Sequence, residues 1–348
     1  MGSSRLYAYD VVRVVAMTFV IAVHSLVIVD TSTTYGAIFF SAGQAVFFTA
    51  NALFFLLSGK FNLRERKTDG ELGNYYVKRA RNFLLPIIIL FFIRTLYELF
   101  PHYESVLHVG KEFIKNSICN FSSMEYWFVF TLFGYLLVAP FLAPAFNRLS
   151  NNAYKAFLGI GLGFHLVLLV SSNLGIEFSW GYLFWGFAFV FCAGAFVERL
   201  FETKRQRTIL IALAVLSAIL TTAFPFMGWW SGIHDTSPFY TILALGLFVG
   251  IVHAAQNAKP RKAISYMAKH SFSVYLVHMM ILTPVAASLP AFSGIGSLAA
   301  YVGVVAVVFF LSLALAVVID AVLVKPAQKL FDMAASAIRK AHSKKAAE

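Results

Sequence analysis

"YDVVRVVAMTFVIAVHS", residues 9–25, places an acid, a base and a histidine in or beside an apolar run long enough to cross a bilayer. Hydrocarbon about 30 Å thick takes about 20 apolar residues of helix to span. Ionisable groups inside such a run are rare and point to function. Asp10 and Arg13 interrupt the start of the run and His24 its end, so it does not read as a cleaved secretory signal, whose charges precede the apolar stretch.

The rest of the 348-residue chain repeats the pattern. Hydrophobic residues make up 59% and charged residues 13%, against about 25% charged in soluble proteins, and mean hydropathy is +0.76. Ten apolar windows stand near residues 8–28, 36–58, 83–100, 125–145, 154–172, 180–198, 208–226, 238–255, 272–289 and 298–323. In lipid every backbone polar group needs an internal partner, so these windows read as helices. The expected fold is an all-α polytopic membrane protein of about ten transmembrane helices. It divides into a membrane domain over residues 1–325 and a basic tail over residues 326–348.

A net charge of +12 could suggest nucleic acid, but the cations gather in alternate loops. One set of connections holds Lys60, Arg64, Arg66 and Lys67, then Arg148 and Lys155, then Arg199, Lys204, Arg205 and Arg207, then Lys259, Arg261 and Lys262. The other set holds only Lys111 and Lys115. Positive loops stay inside, so both termini are expected in the cytoplasm and no nucleic-acid partner is expected. The outer connections "VDTSTTYG" (29–36), "FPHYESVLHVGKEFIKNSICNFSS" (100–123) and "FMGWWSGIHDTSP" (226–238) are polar and aromatic. Cys119 and Cys192 have neither zinc-site nor disulfide-framework spacing, and no metal site is expected.

Arg13 and His24 lie about 16 Å apart along a helix axis and on nearly the same side. Asp10 can pair with Arg13 at i, i+3. Two readings fit that pair, a snorkelling ion pair in the headgroups or the inner end of a functional stripe. An imidazole at the depth of His24 is suited to proton transfer, so it can activate a hydroxyl; a hydrogen bond to another helix is the structural alternative.

Together these residues resemble the first-helix signature of the acyltransferase-3 family of integral membrane O-acyltransferases. "FFLLSG" (54–59), "YYVKRARNFLLP" (75–86), "YWFVFTLFGYLLVAP" (126–140) and "SFSVYLVH" (271–278) are similar to its later motifs and occur in the same order. The resemblance runs from about residue 5 to 325. It implies transfer of an acyl group, acetyl in the usual case, from cytoplasmic acyl-coenzyme A to a hydroxyl of an envelope glycan or lipid-linked sugar. His24 would be general base or acyl relay, supported by Asp10 and Arg13. Lys78, Arg79 and Arg81 would meet the coenzyme phosphates, with acetyl-CoA the donor, no metal, and a bacterial cytoplasmic membrane the setting. Lys60 and Glu125 depart from the family pattern, which bears on the acceptor.

Ser58, Trp127, Tyr135, Tyr275 and His278 are candidates for the substrate path or its support. Ser58 with Gly59 also reads as a close helix contact, and Trp127 as an interfacial aromatic. Ser271, Tyr275 and His278 share one helix face. If the ninth helix starts near residue 272, His278 is much shallower than His24 and the two do not share a proton. A proton-coupled transporter is the rival reading, but paired broken segments between two halves are not visible.

Overall fold

The computed structural model describes residues 3–100, 103–117, 124–176, 186–229 and 237–345. Cys119 with the end of the 100–123 connection, the middle of the 226–238 connection and the first part of the 180–198 window lie outside them. Among the described residues the chain is helical with no strand, and nine helices are long and apolar enough to cross a membrane.

Helix α1 (Ser3–Ser25) is the centre of the bundle. Ala8, Tyr9, Val12, Ala16, Val20 and Ile21 repeat at helical spacing and are all buried. They pack on α3 (Thr49–Asn62), α12 (Pro238–Ala255), α13 (Lys262–Ser288) and α14 (Gly294–Ile319). Helix α2 (Thr34–Phe47), capped by the Thr33 hydroxyl accepting from Gly36 N–H, runs into α3 with a break at Phe48. A carbonyl released at such a break needs a donor in an apolar interior. Tyr240 Oη supplies one, 2.8 Å from the Phe48 oxygen.

Helix α4 (Asp69–Arg79) passes through a π turn at Ala80–Leu84 into α5 (Leu85–Leu99), making one span of Asp69–Leu99. The short α6 (Val106–Lys115) follows, with Phe113 against Phe91 and Phe92. Within α7 (Trp127–Arg148), Pro140 has no N–H, so the Leu136 carbonyl one turn earlier loses its helical partner. Tyr75 Oη fills the vacancy at 2.7 Å and ties α4 to α7.

After α8 (Asn151–Asn173), the described part of the 180–198 window is two short helices, α9 (Phe187–Ala193) and α10 (Val197–Leu200), where one long span was expected. Helix α9 is wholly buried from Phe189 to Ala193. Gly59 of α3 abuts it so closely that a Cβ there would stand 1.7 Å from the Phe191 carbonyl oxygen. Gly194 meets the Leu56 carbonyl in the same way, at 2.1 Å. His165 is buried and fully used: Thr241 Oγ1 lies 3.0 Å from Nδ1, and Gly186 N–H donates to Nε2 at 3.3 Å. It pins the start of α9 to α8 and α12.

Helix α11 (Lys204–Ala223) opens with a capping box between Thr203 and Gln206 and packs along α12. Helix α14 continues through a second π turn, Asp320–Val324, into α15 (Lys325–Lys345), so the helix runs across residue 325. At that turn Asp320 receives His270 at 2.5 Å and Ser273 at 2.6 Å from α13. At the far end of α1, Gly294 N–H donates to Asp30 at 2.8 Å, and Ser297 Oγ accepts from Asp30 N–H at 3.0 Å.

Candidate active site

Asp10 and Arg13 form an ion pair of 2.7 Å near the start of α1. The guanidinium also lies 5.5 Å from the Phe61 ring centroid, and Arg64 stands 5.5 Å from the same ring. Phe61 is one wall of a cleft of about 440 Å³ lined also by Arg64, Arg66, Lys78, Arg79 and Tyr75. Arg66 lies 3.9 Å over the Tyr75 ring and Arg79 5.2 Å from it. Glu65 and Glu71 reach this cleft, but Glu65 is held by Arg148 at 2.9 Å and Glu71 accepts from Lys67 N–H. Arg79 Nε is buried without a partner. Burial pulls the Arg66 guanidinium below its ordinary value, an electrostatic cost that a bound anion would relieve.

Arg81 does not join this group. Its Nε bonds Asp332 at 2.7 Å, and its neighbour Asn82 takes a second donor at 2.7 Å. Arg81 is two residues from Arg79 and so faces another side, within the π turn at Ala80–Leu84 and towards Asp332 of α15. Arg64 and Arg66, read from sequence only as loop cations, take its place.

A larger cavity of about 790 Å³ sits beyond Lys60, Glu198, Arg207 and His253. Its charges are more nearly balanced: Glu198 and Glu202 stand among Lys60, Arg199 and Arg207, Lys60 pairs with Glu198 at 3.0 Å, and Tyr9 Oη donates to Glu198 at 2.7 Å. The cleft around Arg79 therefore offers an anion the larger uncompensated charge.

Three turns beyond Arg13, His24 is half-buried where α1 packs on α13. Its ring centroid is 5.3 Å from that of His278. The expectation that His278 sits much shallower than His24 is thus corrected. Helix α13 starts at Lys262 and not near residue 272, which adds about 15 Å of helix before His278. The polar lead-in "KAISYMAKHS" hides this from a hydropathy window while remaining helical.

His278 is fully buried, and its Nδ1 lies 2.6 Å from the Tyr275 carbonyl oxygen. A carbonyl only accepts, so Nδ1 carries the proton. Nε2 is then a bare acceptor, and it is buried with no partner. Tyr275 Oη donates to the Glu125 carbonyl, and Tyr126 Oη to the Leu276 carbonyl at 2.6 Å, which lock α13 to the start of α7. The Glu125 carboxylate faces Arg94 at 3.6 Å, and Arg94 pairs with Glu98 at 2.6 Å.

Trp127 and Tyr135 belong to an aromatic core that seats α9: Trp127 packs on Phe187 at 5.1 Å and Tyr135 on Phe191 at 5.5 Å. The Ser58 carbonyl accepts from Asn62 Nδ2 at 2.8 Å, next to the Gly59 contact. At the end of α1 beyond His24, a cleft of about 570 Å³ is lined by Val27, Asp30, Ser32, Leu289, Phe292 and Ser293. Among the described residues no group of three or more His, Cys, Asp or Glu could hold a metal ion.

The fold and these residues define a polytopic helical membrane protein with an imidazole pair inside the bundle and a basic cleft at one end. The chain belongs to the Acyltransferase domain family, which matches residues 6–320. It is a membrane acyltransferase, and the family match sets the transporter reading aside. No curated protein and no solved structure matches the chain.

Proposed function

We propose that this protein moves an acetyl group from cytoplasmic acetyl-coenzyme A to a hydroxyl of an extracytoplasmic glycan or lipid-linked sugar, in the cytoplasmic membrane of a bacterium. The observation that carries the reading is the line from the basic cleft, through Arg13 and Phe61, along α1 to His24. Arg79, Arg66, Arg64 and Lys78 suit the coenzyme phosphates, which planar guanidinium groups meet with charge-assisted hydrogen bonds. The pantetheine arm is of the same order of length as the about 16 Å separating Arg13 from His24 along the helix. The alternation of basic loops supports putting this cleft on the cytoplasmic side. The cleft beside Val27 and Asp30 then suits an acceptor approaching from the other side.

His24 takes the hydroxyl proton as the oxygen attacks the acyl carbon; the C–S bond breaks, and the proton passes to the leaving thiolate. The alternative is an acyl-histidine formed first and then attacked by the same hydroxyl. Membranes carrying the full chain, given labelled acetyl-coenzyme A, should label envelope glycan. His24→Ala should abolish labelling at equal abundance, since general-base catalysis contributes about 10²–10⁴-fold. Normal labelling by that variant would end the assignment.

A further inference from the structure

The His278 ring is buried inside the bundle with one nitrogen committed and the other idle. A buried acceptor without a partner is destabilising, and an apolar side chain of similar shape would avoid that cost. Such atoms in a native interior call for an explanation. The His24 ring is in contact with it, 5.3 Å between centroids. At that centroid separation, two imidazoles turned edge to edge would bring a ring N–H and a ring nitrogen to the about 3 Å span of an N–H···N hydrogen bond.

We propose that His278 is the positioning residue for His24, an inference that rests on His24 being the base. The Tyr275 carbonyl holds the proton on Nδ1 of His278, so Nε2 of His278 can only accept. The one N–H of neutral His24 donates to it. The other nitrogen of His24 is thereby left unprotonated and fixed in direction, towards the acceptor hydroxyl. A carbonyl, His278 and His24 thus form a chain in which each member sets the tautomer of the next.

The reaction stays balanced along this chain. The acceptor O–H bond breaks and its proton joins the free nitrogen of His24, while the O–C bond to the acyl carbon forms. The imidazolium keeps its first N–H on Nε2 of His278, which disperses the new charge in a medium of low polarity. The C–S bond breaks, the second proton moves to sulfur, and His24 returns to its starting tautomer. His278 neither gains nor loses a proton.

Two variants separate positioning from packing. His278→Asn keeps an amide N–H for the Tyr275 carbonyl but lacks an acceptor at the Nε2 position; His278→Gln can place an amide oxygen there. Full-length variants are compared in membranes by glycan labelling from labelled acetyl-coenzyme A, with abundance and thermal midpoint measured alongside. His278→Asn should lower kcat about 10²-fold with KM for acetyl-coenzyme A unchanged, within what a general base contributes. His278→Gln should recover at least tenfold of that loss. An unchanged kcat in His278→Asn, or an equal loss in both variants at normal stability, overturns the proposal. Should His278→Asn not accumulate, His278→Gln decides alone: kcat within tenfold of the parent supports the role, and a larger loss at normal abundance refutes it. His24→Ala in the same assay keeps the two ideas apart. Activity in His24→Ala sinks the base assignment itself, whereas an inactive His24→Ala beside a fully active His278→Asn sinks only the positioning role.

Discussion

Replacing Arg79 by Ala should raise the apparent KM for acetyl-coenzyme A about tenfold while leaving kcat nearly unchanged. Arg64, Arg66, Lys78 and Arg79 line the cleft, and the two carboxylates there are already engaged by Arg148 and by Lys67 N–H. A phosphate charge about 5 Å from one guanidinium gains about 3 kcal/mol at an effective dielectric of about 20. The cleft is open to solvent, so about half of that is a fair expectation, and about 1.4 kcal/mol is a factor of ten. The assay is glycan labelling at varied donor concentration, run in parallel with acetyl-pantetheine, which carries no nucleotide phosphates. The Arg79→Ala effect should vanish with the truncated donor and shrink as salt is raised. Arg81→Ala should leave KM unchanged, because Arg81 is spent on Asp332 outside the cleft. An equal rise in KM for both donors, or a rise in Arg81→Ala as large as in Arg79→Ala, would refute the electrostatic assignment.

Gly59→Ala places a Cβ 1.7 Å from the Phe191 carbonyl oxygen, so α3 and α9 must separate. Overpacking of this kind costs about 1–3 kcal/mol or more; a thermal midpoint in detergent equal to the parent's would show that the contact is not as close as described. Asp30 gives a pH test. The Gly294 N–H, then Ser32, hold its carboxyl below the usual carboxylate value. A depressed folded value means the contribution is complete above about pH 4, the unfolded value, and is lost as pH falls through the folded one. Asp30→Asn should therefore lower the thermal midpoint at pH 7, with the gap to the parent closing below about pH 4; a gap that persists unchanged in acid would remove the carboxylate from the account.

The sequence made the spans legible because hydropathy is what the bilayer selects. It located the two ends of the α1 stripe because ionisable residues stand out against that background. What it hid were features that leave no hydropathy mark. The break at Phe48 has no proline or glycine beside it; it is held by Tyr240, distant in the chain. The early start of α13 was masked by Lys262, Lys269 and His270, which lower the window average without disturbing the helix. Lys78, Arg79 and Arg81 group together by the motif they share, whereas Arg81 turns to Asp332, a partner 251 residues on that no local pattern announces. Arg64 and Arg66 arrive at the cleft through a loop, where periodicity has nothing to say.

Satisfied and unsatisfied polar atoms divide this bundle in a way that supports the site. Where the backbone is interrupted, a side chain from another helix repairs it: Tyr75 at the carbonyl freed by Pro140, Tyr240 at Phe48, His165 at Gly186. Among the described residues, the buried side-chain atoms left without partners are Asn62 Oδ1, Arg79 Nε, Thr221 Oγ1, His278 Nε2 and Ser312 Oγ. The Thr221 and Ser312 hydroxyls sit on helices, where rotation towards a carbonyl one turn back is a ready local remedy. Asn62 lies one residue from Phe61, at the cleft. Arg79 Nε and His278 Nε2 stand at the two ends of the line from the basic cleft to the imidazole pair. A fold that satisfies its structural breaks from neighbouring helices yet leaves these two nitrogens idle is what the proposed donor at one end, and the proposed pairing with His24 at the other, would require.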